Sequence, residues 1–427
     1  MSGPSRSPSQ NSVLTLFPET AELSPSGGIT VGGVALDQLA ERFGTPAHVV
    51  DVETFRRQAR RFVRGLAQRW PNSEVLFASK SFPAMAMYRL AADEGLSIDV
   101  AGGGEIELAL AAGVDAARLY FHGNAKTDAE LSRALEAGVG TVIVDNADEL
   151  DRLQRLATRP LPVLVRVIPN VSPQTHPSQS TGGHDSKFGL PLGQARPVMD
   201  EIERSEFLTL EGLHLHIGSQ VLAASPFGEA VREVAQIGGL HSYNVGGGLG
   251  VRYTYAEHPP SVEEYLDAIA EAARAVLPAS ARLLIEPGRA LVARAGLTLY
   301  RIVTVKRTGR NFVALDGGMA DNLDIALTGQ RYEAAIVDRP SAPGTLLCDV
   351  VGRQCESGDL MIGGIELPDP AVGDLLAMPV TGAYSFTMAN NYNGAYKPPV
   401  VFVQDGEARV VVRRETVEDL LRLHVGV

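Results

Sequence analysis

Val75-Leu76-Phe77-Ala78-Ser79, followed at once by Lys80, is the first of a series of short apolar runs that recur along the chain. The others are Ser97–Ala101, Arg118–His122, Thr141–Asp145, Pro162–Ile168, Gly212–Ile217, Tyr243–Val245 and Leu283–Ile285. Between them lie segments rich in Ala, Leu, Glu and Arg with helical spacing, such as Ala84–Glu94, Glu105–Ala112, Asp128–Ala137 and Ala147–Leu156. A strand that is apolar throughout must be covered on both faces, so its alternation with amphipathic helices predicts a parallel sheet wrapped in helices. Eight such units in roughly 210 residues predict an α/β fold built on a (β/α)8 TIM barrel.

The pattern changes after Arg289. Leu297–Val305, Phe312–Leu315, Leu346–Val351, Leu375–Met378, Val400–Val403 and Ala408–Arg413 are strand-like runs separated by Gly, Pro and Asp turns. With little helix between them, they predict an antiparallel β-sandwich or barrel domain. Thr30–Val34 and His48–Val50 also read as strands, so the N-terminal segment is expected to complete that second domain. The expected organisation is a Ser/Pro-rich disordered tail over 1–11, a segment over 12–50 joining the β domain, the barrel over 51–294 and the β domain over 295–427.

Composition narrows the class. The chain has 427 residues, 45% hydrophobic and 21% charged, enough to bury a core of two domains. Two cysteines cannot build a disulfide framework, and no Cys/His cluster has zinc-ligand spacing, so no metal is expected. A net charge of -12 argues against general affinity for nucleic acid or an anionic membrane. The absence of a long apolar run or a basic-then-apolar N-terminus leads to the expectation of a cytoplasmic protein. Of 38 basic residues only Lys80, Lys126, Lys187, Lys306 and Lys397 are lysine. Codon preference accounts for that ratio, but lysine, unlike arginine, can lose its proton and act as a nucleophile, so each survivor is informative.

Barrel enzymes place their chemistry at the C-terminal ends of the strands. Lys80 ends the first run, where desolvation would favour a neutral amine able to form a Schiff base. The sixth run ends His214-Leu215-His216-Ile217-Gly218-Ser219, and alternation sends both histidines to one face, with a ring over a planar ligand and a small polar loop for an anion. The seventh and eighth runs end Gly246-Gly247-Gly248-Leu249-Gly250 and Glu286-Pro287-Gly288-Arg289, where barrels often bind phosphate on exposed backbone N–H groups. A Schiff-base lysine, a stacking histidine, a phosphate loop and a strand-end glutamate describe a pyridoxal phosphate site. A carboxylate on the pyridine nitrogen makes the ring a strong electron sink, which suits loss of carbon dioxide. An arginine there would suit racemisation instead.

The chain resembles the barrel-type (fold type III) pyridoxal phosphate decarboxylases, which include the diaminopimelate, ornithine and arginine decarboxylases and share the alanine racemase-like fold. Its pattern is nearest to the diaminopimelate group. The matching motifs run in order: Phe77-Ala78-Ser79-Lys80, Ala101-Gly102-Gly103-Gly104-Glu105, His122-Gly123-Asn124-Ala125-Lys126, Ser186-Lys187-Phe188-Gly189 and those quoted above. Asp316-Gly317-Gly318-Met319, Cys355-Glu356-Ser357-Gly358-Asp359 and Gly382-Ala383-Tyr384 follow in the β domain. The resemblance implies that Lys80 carries the cofactor, His216 stacks on its ring and Glu286 bonds its nitrogen. It places Ser219, Gly246, Gly247, Gly248, Gly288, Arg289 and Tyr384 around the phosphate. Arg289 and Tyr384 would also meet the substrate. Cys355 would return a proton after decarboxylation and Glu356 would face the substrate's side chain. It further implies a homodimer in which Cys355 and Tyr384 serve the partner's site.

One stretch departs from that family. Where the diaminopimelate group shows Asp-Asn-x-Arg-Pro-x-Leu-Tyr, with arginine and tyrosine holding the second carboxylate, this chain has Asp321-Asn322-Leu323-Asp324-Ile325-Ala326-Leu327-Thr328. Asp324 repels what an arginine would fork, and Thr328 replaces the tyrosine. The segment Asn391-Tyr392-Asn393-Gly394-Ala395-Tyr396-Lys397-Pro398 also differs from the family's Asn-Tyr-Asn followed by Arg-Pro-Arg. The expectation is an altered substrate. It could have a cationic end near Asp324, Glu356 and Asp359, or be an amino acid unit of a siderophore or secondary-metabolite precursor, free or carrier-bound. Alternatively Asp324 points to solvent, Arg331 or Lys397 supplies the charge, and diaminopimelate remains the substrate for lysine biosynthesis.

Overall fold

The computed structural model describes residues 13–171 and 186–426. The expected tail over 1–11 lies outside the described residues. Two compact units emerge. One comprises Arg57–Val251 and His258–Leu291; the other combines the chain up to Arg56 with Arg252–Glu257 and Val292 onward.

The first unit is the predicted barrel. Its strands are β1 (Ser73–Ala78), β2 (Ser97–Val100), β3 (Leu119–Phe121), β4 (Thr141–Val144), β5 (Leu161–Ile168), β6 (Leu208–Leu215), β7 (Ser242–Asn244) and β8 (Arg282–Ile285). Each pairs in parallel with its neighbour, and β8 pairs with β1 to close the ring. The helices sit where periodicity placed them, at Met85–Asp93, Gly103–Ala111, Asp128–Ala137 and Ala147–Leu156. Their ends are set locally. Thr127 and Glu130 form a reciprocal capping box at the start of Asp128–Ala137, and Gly138 ends that helix in the left-handed conformation. β6 begins four residues earlier than Gly212 because a bulge between Leu210 and Gly212 keeps it in register with β5.

Along each barrel strand alternate side chains point inward. Leu76, Tyr120, Ile143, Leu164 and Leu284 meet there as one buried apolar cluster. Burying each such side chain contributes roughly 1.5–3 kcal/mol, so this layer fills the middle of the barrel and leaves polar inward positions only at its two ends.

The second unit carries a small three-stranded sheet and a larger one. The larger runs Leu360–Leu367, Leu346–Val351, Asn311–Leu315, Gly296–Arg307, Ala47–Asp51, Val400–Gln404, Glu407–Val412, with Leu375–Pro379 and Ala335–Ile336 branching from Gly296–Arg307. The expectation of an antiparallel sheet needs correction, because Asn311–Leu315 pairs in parallel with Leu346–Val351, and Val400–Gln404 with Ala47–Asp51. The second of these arises because Ala47–Asp51, arriving from before the barrel, inserts between Gly296–Arg307 and Val400–Gln404, while the first joins two strands that both follow the barrel. The same burial closes the N-terminal segment onto the unit, where Val13, Phe17, Ile29 and Val31 share a core with Leu297, Leu299, Val401 and Val403. Leu360–Leu367 is absent from the predicted runs, since its Gly363-Gly364 pair reads as a turn; Gly364, at φ +68°, sits in a strand instead. Among the described residues no helix is long and apolar enough to cross a membrane.

Candidate functional site

The upper end of the barrel gathers a ring of polar side chains from inward positions at the ends of seven strands, β2 to β8. Asp99 comes from β2, Arg166 from β5, His214 from β6 and Asn244 from β7, while His122, Asp145 and Glu286 follow β3, β4 and β8 directly. All seven are buried. Glu286 is the centre. Asn244 Nδ2 donates to its Oε1 at 2.6 Å, His122 Nε2 lies 3.0 Å from Oε1, and His214 Nε2 lies 3.1 Å from Oε2. Burial would push the carboxyl's proton affinity up, but its charge interactions and hydrogen bonds with His122 and His214 outweigh that and hold Glu286 well below the usual carboxylate range. His214 itself is driven down to about 4 by burial, against the pull of Glu286, so at neutral pH it is an uncharged imidazole that donates through Nε2. The three donor atoms of His122, His214 and Glu286 also lie within 4.8 Å of one another, a spacing a metal could accept. Here the hydrogen bond of His214 and the close approach of His122 Nε2, at 3.1 and 3.0 Å from the Glu286 oxygens, account for the arrangement.

His214 and His216, expected to act alike, divide the work. His214 is fully buried beneath Glu286, whereas His216 is half-buried and its Nδ1 accepts the Gly247 N–H at 3.2 Å. That bond fixes the ring beside the glycine loop. In this loop a side chain at Gly247 would reach 2.0 Å from the Glu286 carbonyl, and Gly248, at φ +114°, lies against the Gly218 carbonyl in the same way. The Gly246 and Gly247 N–H groups are taken by Asn244 Oδ1 and His216 Nδ1, at 3.0 and 3.2 Å, and the missing side chains leave room for a ligand to approach the backbone closely. Arg289 is buried, and its Nε and Nη2 each lie 3.3 Å from Ser219 Oγ, which puts a guanidinium and a hydroxyl next to each other at the start of the short helix Arg289–Val292. Gly288 lies against Ala78, two residues before Lys80.

Lys80 sits in a single helical turn, Ser79–Ser81, after β1. The expected desolvation is not met, because Lys80 is exposed: the turn carries the chain over the rim after Ala78. Its charge still reaches Asp99, Glu105 and His216. Lys126 behaves oppositely. Its Nζ donates to the Gly123 and Ile143 carbonyls and to Glu149 at 2.7–2.8 Å, a buried structural ion pair.

The barrel unit thus brings together Lys80, His216, Ser219, Gly246, Gly247, Gly248, Glu286, Gly288 and Arg289. Cys355, Glu356, Asp324, Thr328 and Tyr384 belong to the second unit. Cys355 and Glu356 are exposed on a loop. Tyr384 holds φ +64°, a conformation rare for a side-chain-bearing residue, immediately before the helix Ser385–Met388. Asp324, the first residue of the helix Asp324–Thr328, is buried rather than turned to solvent, since that helix packs on Leu360–Leu367. Thr328 Oγ1 donates to the Asp324 carbonyl at 2.7 Å, so its hydroxyl serves the helix. Asp359 does not extend the acidic patch expected for a cationic substrate, because both of its oxygens are taken by backbone N–H groups.

His122 received no role from sequence, and Asp99, Asp145, Arg166 and Asn244 were missed. A signal was present. Inward positions repeat every second residue, so the columns Tyr120-x-His122, Thr141-x-Ile143-x-Asp145, Leu164-x-Arg166 and Ser242-x-Asn244 each end in a polar group at the catalytic rim.

Residues 52–293 match the family described as pyridoxal-dependent decarboxylase, pyridoxal binding domain. A diaminopimelate decarboxylase of Actinosynnema pretiosum subsp. auranticum is 46% identical over 93% of both chains. That of Bacillus subtilis (strain 168) is 41% identical over 95% of this chain and 97% of its own. Among solved structures, diaminopimelate decarboxylase from M. jannaschii in complex with L-lysine superposes with a TM-score of 0.90 at 31% identity, covering 96% of this chain and 99% of that one.

Proposed function

Because the chain belongs to the pyridoxal-dependent decarboxylases, as a carboxy-lyase of the diaminopimelate decarboxylase type, we propose that it acts on an amino acid whose far end is not diaminopimelate's second carboxylate. The cofactor is pyridoxal 5'-phosphate. The barrel's own geometry fits it: a glycine loop too tight for side chains, a buried guanidinium beside a hydroxyl, and a buried anionic carboxylate facing the same mouth. Lys80 would hold its aldehyde carbon, Glu286 its ring nitrogen and His216 its ring face. Ser219, Gly246, Gly247, Gly248, Gly288, Arg289 and Tyr384 would surround its phosphate. When bound, the cofactor supplies a sink for the electron pair left on the α-carbon as carbon dioxide departs.

The protein's part follows from charge. His122, His214 and Asn244 keep Glu286 unprotonated, so it accepts a hydrogen bond from a protonated ring nitrogen and strengthens that sink. Cys355 holds the proton returned to the α-carbon, and Glu356 faces the substrate's side chain. The two act in a homodimer, with Cys355 and Tyr384 serving a partner protomer's site.

The observation that carries the substrate reading is Asp324. A buried carboxylate stands where the diaminopimelate group has a guanidinium, and Thr328 spends its hydroxyl on the backbone, so neither can hold a second carboxylate. A cationic amino acid such as lysine or ornithine fits this end, as does an amino acid unit of a siderophore or secondary-metabolite precursor, free or carrier-bound. The second reading, meso-diaminopimelate itself, is favoured by the 46% identity to a named diaminopimelate decarboxylase, with Arg331 or Lys397 supplying the charge. Carbon dioxide release should be measured across diaminopimelate, lysine, ornithine, arginine and carboxylated siderophore precursors. Faster release from one of the others is expected, and diaminopimelate as the best substrate refutes the altered specificity. Purified protein should be yellow and Lys80→Ala colourless and inactive; an active Lys80→Ala protein would sink the whole assignment.

A further inference from the structure

The loop that carries Cys355 is clamped from two sides by side chains with no role in the decarboxylase reading so far. Behind it, Asp359 is 4% exposed; its Oδ1 accepts the Met319 N–H at 2.7 Å and its Oδ2 accepts the Gln354 N–H at 2.8 Å. It lies in a cradle that only glycine permits, since side chains at Gly318 and Gly352 would come within 2.5 Å of its oxygens. Gln354 immediately precedes Cys355, and Arg353 N–H donates to the Gly317 carbonyl at 3.0 Å, so the loop's base is tied to the Asp316-Gly317-Gly318-Met319 turn.

In front, Asn393 Oδ1 accepts the Cys355 N–H at 2.7 Å. The turn that presents Asn393 is itself fixed. Asn391 Nδ2 donates to Glu415 at 2.6 Å and to the Ala395 carbonyl at 2.9 Å, and Tyr392 N–H donates to Asn390 Oδ1 at 2.9 Å. Asn393 holds φ +55°, which aims its amide while leaving its own backbone in a conformation that asparagine tolerates. The main chain of Cys355 is thus gripped at its own N–H and at the residue before it, while its exposed thiol is left to rotate only about its side-chain bonds.

We infer that Asn393 is the positioning residue for the Cys355 thiol, with Asp359 as the rear anchor of the same loop. The inference rests on the proton-returning role proposed for Cys355. A donor must lie within hydrogen-bond reach of the carbon it serves, so loosening its backbone lowers the rate of that step more than it weakens substrate binding.

Two readouts on the holoenzyme test it. Asn393→Gly removes the acceptor and keeps the positive φ. It should lower kcat about fivefold, as expected for one net hydrogen bond, with KM within about twofold. It should also raise the alkylation rate of Cys355 by about the same factor, with buried Cys348 unreactive as proof of an intact fold. Asn393→Asp keeps an acceptor and should restore both. Unchanged alkylation and kcat in Asn393→Gly, or an Asn393→Asp protein as defective as Asn393→Gly, overturns the positioning role. A Cys355→Ser protein with undiminished kcat overturns the proton-returning role instead, and the alkylation rates then decide the positioning question separately.

Discussion

Glu74, on β1, and Glu286, directly after the neighbouring β8, lie at opposite ends of one closed sheet, each among inward polar side chains. At the lower end Glu74 accepts from the Ser97 and Tyr120 hydroxyls and pairs with the Arg282 guanidinium. At the upper end Glu286 takes an amide and two imidazoles, of which His214 is neutral, while Arg166 of that ring lies beside Asp145, with its Nε 4.0 Å from Oδ1. The apolar layer of Leu76, Ile143, Leu164 and Leu284 separates the two. A resident cation satisfies a carboxylate's charge and leaves little for a ligand. The Asn244 amide and the neutral His214 imidazole satisfy its lone pairs without cancelling its charge, so Glu286 remains able to bind a protonated nitrogen. Two similar residues in one barrel therefore differ in use because of the charge of their partners.

Charge removal at the two ends should break the symmetry most visibly. Glu286→Gln is expected to cut carbon dioxide release by about 10²–10³-fold, while Glu74→Gln stays within about twofold; equal losses would erase the distinction. Next in size, Asn244→Ala or His214→Ala should cost roughly tenfold in kcat by leaving Glu286 short of a donor; an unchanged kcat in both variants would show that these donors do not maintain the carboxylate.

Acid should also find the upper end first. His214 has its folded pKa lowered to about 4 from an ordinary 6.5, so between those values the unfolded chain binds the proton and the native one does not. Its stability contribution is present above pH 6.5 and is lost as pH falls toward 4; Glu286, also lowered, adds a loss in the same direction below its ordinary range. Unfolding free energies from denaturant titrations should fall between pH 7 and pH 4.5 by on the order of 1–3 kcal/mol for each such imidazole, and His214→Gln should reduce that slope while His48 and His216, lowered in the same direction by burial, keep the remainder; an unchanged slope would show that His214 does not contribute. The smallest effect belongs to the lower end. Glu74→Ala strands the Tyr120 hydroxyl and should lower Tm by a few degrees, with kcat untouched.

Much of this was legible along the chain. The eight apolar runs mark the eight barrel strands because a strand covered on both faces has to be apolar wherever it is not catalytic. Lys80, Glu286 and the glycine loop stood out because they interrupt or end those runs. Asp99, Arg166 and Asn244 did not, since a single polar residue inside a strand gains meaning only when the inward parity of every strand is lined up with its neighbours'. His214 and His216 share a parity, yet one is buried under Glu286 and the other is held by Gly247, a division set by depth in the barrel rather than by alternation. In the second unit, Leu360–Leu367 was hidden by two glycines, and the parallel pairing of Val400–Gln404 by Ala47–Asp51, which arrives from before the barrel.

The sequence by itself determined the barrel, the cofactor class and the departure at Asp324, because periodicity, strand-end chemistry and a changed charge are local properties of the chain. Only the tertiary structure decided that Asp324 is buried, that Asp359 braces a loop, that Lys80 is exposed while Lys126 is pinned, and that Glu286 keeps its charge. Each of those depends on which distant groups share a side chain's surroundings, and burial and hydrogen-bond partners are set by packing rather than by order along the chain.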